Sequence, residues 1–286
     1  MSQTEGIEIL EEELHGHKVT TTRIQTEQVA EEFQKPIGSY IVIETNEPLD
    51  NQTNIEDVGE CLAEVLSWVM QPYYHGKLCI CGLGCESVPA DALGPEVIHN
   101  LPLKLFSEIE AEGNFREVCS IVPGTSLTNN IDTEVIVKGV IKEIGADCIL
   151  LVDSLIAKNP ARLLQTIQIS TAGGTNPYFS GRTVNWSALG IPVISLGVPV
   201  AIPTSDFFSD QSMDYGLFTS TNIQDSVTSA GRIIAYAILR MCWPSRSKIE
   251  CSLLSWRNSI PMPCSFTQEE ECQSDDAALM VEVNKS

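Results

Sequence analysis

Apolar residues recur along the chain with two periods. IEDVGECLAEVLSWVM (55–70) places Ile55, Val58, Leu62, Val65, Leu66 and Val69 three or four positions apart, which predicts an amphipathic helix. DTEVIVKGVIKEIG (132–145) reads the same way and stops at Gly145, a residue suited to a helix end. NIQDSVTSAGRIIAYAILR (222–240) predicts a late helix, and ADALGPEVIHNL (90–101) a shorter one with Asp91 near its first turn. Between the helices lie short strand-like runs: IGSYIVIE (37–44), KLCICGL (77–83), EVCSIVPG (117–124), DCILLVD (147–153), TIQIS (166–170) and IPVISLG (191–197). Several are apolar at consecutive positions, as strands covered on both faces must be. Strands alternating with helices predict an α/β fold, with a largely parallel sheet flanked by helices. The pattern divides the chain into an acidic, flexible segment over 1–15, an α/β domain over 16–245 and an acidic, weakly ordered tail over 246–286. The tail carries FTQEEECQSDD and too few apolar residues for a core, so its removal near Arg246 is expected to leave folding unchanged.

Charge and composition narrow the partners. Lys and Arg number 17 against 38 Asp and Glu, a net charge of −21, which disfavours nucleic acid and anionic membranes. No apolar run approaches the ~18 residues of a membrane span, and the first residues lack the basic and apolar regions of a secretory signal. A cytoplasmic protein is expected. Ten cysteines contain no CxxC pair, and Cys79, Cys81 and Cys85 do not have zinc-knuckle spacing. Free thiols and no bound metal are the expectation, with Cys79, Cys119 and Cys148 acting as small buried hydrophobes.

The chemistry rests on two carboxylates. Asp91 follows the KLCICGL run and Asp153 ends DCILLVD. Functional groups collect at the carboxyl ends of strands in open parallel sheets, so both aspartates should stand over one edge. A close carboxylate pair shares a proton and can activate water while protonating a leaving amine; the same pair can hold a divalent cation. The plainer alternative is that Asp91 caps a helix and Asp153 closes a turn. Backbone amides near Ala92 and Leu93 offer a place for developing negative charge. Other signatures are weak or missing: GxSxG, HExxH and GxxxxGK[ST] do not occur, and GLGCES has Ser87 where a dinucleotide fingerprint needs its third glycine. His15, His17, His75 and His99 are scattered, and Ser126 has no evident histidine partner.

Four segments in this order carry a family resemblance: GLG…VPADALGPEVI, CSIVPGTSLTNNIDTEVIVKGVI, DCILLVDSLIAKNPARLLQTIQIS and ALGIPVISLGVPV, preceded by HKVTTTRIQTEQVAEEFQKPIGSYIVIE. Over roughly 17–200 the chain resembles the spore germination endopeptidases, which degrade small acid-soluble spore proteins. The resemblance implies an aspartic-type endopeptidase with a fold similar to that of hydrogenase-maturation proteases, without a cofactor. It implies synthesis as a self-processing zymogen, a homotetramer and a place in the spore or forespore interior. Catalysis would fall to Asp91 in DALG and Asp153 at the strand end. The family pattern is broken after TIQIS, where Thr171 replaces an acidic residue and TAGGTNPYFSGR (171–182) has no histidine, and at LPLK (101–104), where the family is basic. Those departures leave a further reading, a catalytically weak or inactive sporulation paralogue acting by binding; a metal-dependent maturation peptidase is a third, against which the missing histidine counts.

Overall fold

The structure, a computed structural model, describes residues 5–50, 53–102, 113–173, 189–204 and 216–255. It opens with a hairpin. Strand β1 (Ile7–Leu14) pairs antiparallel with β2 (His17–Ile24) through a tight turn in which His15 and Gly16 both take positive φ. The segment read from the sequence as flexible therefore contains a sheet strand. Its glutamates are compatible with that position because β1 is an edge strand, where charge on a solvated face discourages further pairing. Arg23 pairs with Glu8 at 2.9 Å and Lys18 with Glu11 at 2.8 Å across the hairpin.

Helix α1 (Glu27–Phe33) leads to β3 (Gly38–Glu44), and α2 (Ile55–Met70) starts at Asn54, whose side chain accepts the Glu56 N–H. Then come β4 (Lys77–Gly82), a 3-10 turn at Pro89–Asp91, α3 (Leu93–His99) and β5 (Glu117–Ile121). After them come α4 (Ser126–Asn129), α5 (Thr133–Ile144), β6 (Cys148–Ile156), β7 (Thr166–Ser170) and β8 (Val193–Pro203). The last elements among the described residues are β9 (Leu217–Thr219), α6 (Ile223–Cys242) and α7 (Lys248–Leu254).

The strands form one sheet in the order β1-β2-β3-β7-β8-β6-β4-β5, with β9 also on β8. It is mixed. The β8-β6-β4-β5 half is parallel; the pairings from β1 through β7 to β8, and of β9 with β8, are antiparallel. The expectation of a largely parallel sheet thus holds for one half. The short 157–165 connection has no room for a crossover helix between β6 and β7, so the chain returns in the opposite direction.

Helices α2, α3 and α6 cover one face and bury Leu62, Leu66, Ile80, Leu150, Ile233 and Tyr236. Helix α5 covers Cys79, Cys81, Ile149 and Leu151 on the other face through Val137 and Ile141. The tail boundary near Arg246 also shifts. Helix α7 opens with a Ser247–Glu250 capping box and buries Cys251 fully. Lys248 Nζ lies 3.4 Å from Glu60, which also accepts the Tyr236 hydroxyl at 2.6 Å and Arg240 Nε at 2.8 Å. The packed unit extends through α7 because one amphipathic turn finds a groove prepared by α2 and α6. The rest of the acidic tail, 256–286, lies outside the described residues.

Candidate functional site

The site is built where β4 ends against β6. The two strands are parallel in the register Leu78↔Cys148 to Gly82↔Val152, and the Leu83 N–H extends the ladder by donating to the Val152 carbonyl at 2.8 Å. One step further along β6 is Asp153, beside the point where the chain leaves β4. Strand β6 does not end there; it continues to Ile156 alongside β8, with Asp153 opposite Gly197. The carboxylate therefore leaves a firmly paired strand and does not close a turn.

Side-chain alternation assigns Asp153 a face. Cys148, Leu150 and Val152 belong to the core under α2, α3 and α6, whereas Ile149 and Leu151 lie on the α5 side. Asp153 follows the second set. Burial pushes the Cys81 thiol up, and the Asp153 charge adds to the effect, as proximity on that same face requires. Asp153 itself is half-buried.

Asp91 is held by a folded loop after β4. The Asp91 N–H donates to Val88 O at 2.7 Å, the Val88 N–H to Cys85 O at 3.0 Å, and the Cys85 N–H to Asp91 O at 3.0 Å. The N-cap of α3 is Ala92, and no side chain caps that helix, so Asp91 is not a helix cap. The residue is 7% exposed. Burial raises its pKa to about 6, and the nearby Cys85 N–H offsets part of that rise. An acid of this kind keeps its proton into mildly acidic solution. The Ala92 N–H, considered as a donor to developing charge, is directed at Pro89 O at 3.4 Å.

Three glycines hold the loop against the strand. A Cβ on Gly94 would overlap the Leu83 backbone, and a Cβ on Gly82 would overlap the Gly94 carbonyl, so α3 meets the end of β4 backbone to backbone. Gly84 has φ +118°; a Cβ there would overlap the Asp91 carbonyl and stand 3.3 Å from its carboxylate Oδ1. The Asp91 carboxylate thus lies by Gly84, one residue beyond the Leu83 that flanks β6, and neighbouring strands stand about 4.8 Å apart. Asp91 stands in the loop past the end of β4, and Asp153 on β6 one position beyond the last β4–β6 pair, Gly82↔Val152. The sequence reading missed the glycines' part. The signal was present in GLG and DALGP, whose glycines serve close approach of two backbones and not a phosphate cradle.

His99 ends α3 and pairs with Glu86 of the loop at 3.1 Å. Ser126 begins α4. Cys79, Cys81, Cys85, Cys119 and Cys148 are free thiols. Among the described residues no group of three or more His, Cys, Asp or Glu is arranged to hold a metal ion, and no helix is long and apolar enough to cross a membrane. The Thr171 side chain accepts the Ser39 N–H at 3.0 Å, tying β7 to β3; most of the divergent segment, from residue 174 to 182, lies outside the described residues.

Comparison with known proteins bears on the same region. The family model described as Germination protease matches residues 1–231, a range that contains both aspartates. A germination protease of Caldanaerobacter subterraneus subsp. tengcongensis is 32% identical over 205 residues, which covers 69% of this chain and 63% of that relative. One from Priestia megaterium is 31% identical over 220 residues, with 73% and 59% covered. One from Clostridium perfringens is 32% identical over 218 residues, with 73% and 66% covered. The chain thus spans about three-fifths to two-thirds of the length of the relatives it matches. With a family match running from β1 into α6 and through the edge that carries Asp91 and Asp153, the chain belongs to the germination protease family.

Proposed function

We propose that this chain is an endopeptidase whose catalytic groups are Asp91 and Asp153. The observation that carries the reading is the burial of Asp91 beside Gly84, at the edge where the neighbouring strand presents Asp153. Two carboxyls in unequal surroundings take unequal roles. Asp91, with its pKa raised to about 6, is the proton holder, and half-buried Asp153 is the base.

The reaction balances on those two groups. Ionised Asp153 takes a proton from water as the water oxygen bonds to the peptide carbonyl carbon. Asp91 gives its proton to the amide nitrogen as the carbon–nitrogen bond breaks. The products are a carboxylic acid and an amine, and a proton passing from Asp153 to Asp91 resets the pair. No metal enters this scheme.

Family membership supports the rest of the reading. The substrates are small acid-soluble spore proteins, cut at germination. The fold is related to that of hydrogenase-maturation proteases. The protein is made as a zymogen, assembles as a homotetramer and acts inside the spore.

The test is cleavage of a purified small acid-soluble spore protein by wild type, Asp91→Asn and Asp153→Asn. Each substitution keeps size and removes an ionisable group, and each is expected to lower turnover by about 10²–10⁴ or more. A chelator is expected to change nothing. Wild-type activity retained in both variants overturns the assignment. Loss on chelation with recovery on adding a divalent cation makes the aspartates ligands and favours a maturation peptidase. A wild type that binds the substrate and never cuts it is an inactive binding paralogue.

A further inference from the structure

Cys79 and Cys119 are Cα partners in the parallel β4–β5 ladder. Direct partners point to the same face, here the one covered by α5, where both join the cluster around Val137 and Ile141. A strand spacing of about 4.8 Å lies inside the 4.4–6.8 Å Cα range that a disulfide spans. Cys119 Sγ donates to the carbonyl of Leu78, the residue just before Cys79 on β4, at 3.5 Å. Cys148, on the strand at the other side of β4, is no competitor, because it belongs to the core on the opposite face.

Access is unequal in a useful way. Cys119 is half-buried on β5, the outermost strand at this end of the sheet, whereas Cys79 is 1% exposed on an interior strand. Cys119 is therefore the thiol an oxidant reaches first, and its thiolate is the form that attacks disulfides.

We infer that Cys79 and Cys119 are a modification site, an oxidisable dithiol that a small-molecule disulfide such as oxidised glutathione converts into a β4–β5 cross-link. Cys119 thiolate attacks one sulfur of the oxidant, forms a mixed disulfide and expels one thiol. The Cys79 thiol, still carrying its proton, faces that mixed disulfide across the ladder. Cys79 then loses that proton to solvent, attacks the Cys119 sulfur and expels the second thiol. Two protein thiols become one disulfide, one small disulfide becomes two thiols, and two electrons pass from protein to oxidant. Cys79 lies four residues before Leu83, about 13 Å along the strand, so the cross-link grips the sheet and leaves the carboxylate edge open.

The test treats the full chain with oxidised glutathione, alkylates the remaining thiols and maps peptides by mass. The expected result is a Cys79–Cys119 peptide pair lacking two hydrogens, with two fewer alkylated cysteines per chain, fully reversed by dithiothreitol. Cys79→Ala keeps a small apolar residue in the core and is expected to stop at a glutathione adduct on Cys119. Cys119→Ala is expected to leave Cys79 reduced. Circular dichroism checks that both variants fold. A stable Cys119 adduct with no cross-link in the wild type overturns the inference. So does oxidation confined to other cysteines, such as Cys85, while Cys79 and Cys119 stay alkylatable.

Discussion

Asp91 is expected to be a stability liability as long as it is ionised. Its pKa rises from 3.8 to about 6 on folding because the buried site penalises the charged form. Between those values the folded protein binds more protons than the unfolded chain. Stability from this group is therefore fully present below pH 3.8, falls as pH rises, and is lost above about 6. Each tenfold change in proton affinity is worth about 1.4 kcal/mol, so the whole penalty is of order 3 kcal/mol. Asp91→Asn removes the ionisation, keeps the side chain's size and leaves the backbone carbonyl that accepts the Cys85 N–H. The variant should be more stable than wild type by up to ~3 kcal/mol at pH 7–8, about 5 °C or more in melting temperature. The assay is urea unfolding of both proteins at half-unit steps from pH 3.5 to 8. The difference between them should be small at the acid end, open between pH 4 and 6 and stay constant above. A difference independent of pH, or an asparagine variant less stable than wild type at pH 8, would refute the claim that burial strains the charge of Asp91. Contributions from other titrating groups, buried His17 among them, cancel in the difference.

Three further outcomes follow from the packing. Gly94→Ala forces a methyl into the Leu83 backbone and should lower unfolding free energy by about 1–3 kcal/mol while displacing Asp91, so calorimetry and peptide cleavage should both respond. A chain ending at Arg246 should be less stable than one ending at Ser255 by about 2–3 kcal/mol in denaturant titrations, because α7 buries Cys251 and Ser255. Glu60→Ala should cost about 3–5 kcal/mol, read by thermal unfolding, since it leaves Arg240 and the Tyr236 hydroxyl without their shared carboxylate in a site that is 12% exposed at Glu60.

The cores of the elements were legible in the sequence because local periodicity follows from burial. Residues 55–70 alternate at helical spacing since one face of α2 meets α6, and residues 78–83 are apolar or glycine throughout because β4 is covered on both sides. Asp91 and Asp153 could be picked out for the same reason: each interrupts or follows an apolar run where a carboxylate needs an explanation. Strand direction in the outer half of the sheet was not legible. TIQIS has the same composition in a parallel or an antiparallel neighbour, and the short connection after β6 sets its direction. Nor could composition reveal that IEILEEEL and KIECSLL are ordered, because an edge strand and a one-sided helix take much of their stability from partners distant in sequence. The burial of Asp91, and with it the raised proton affinity, was decided by tertiary structure alone. It depends on the contacts of Gly82 and Gly94, and on the close approach of Gly84 to Asp91, and desolvation is a property of what surrounds a carboxyl in space, which no spacing along the chain encodes.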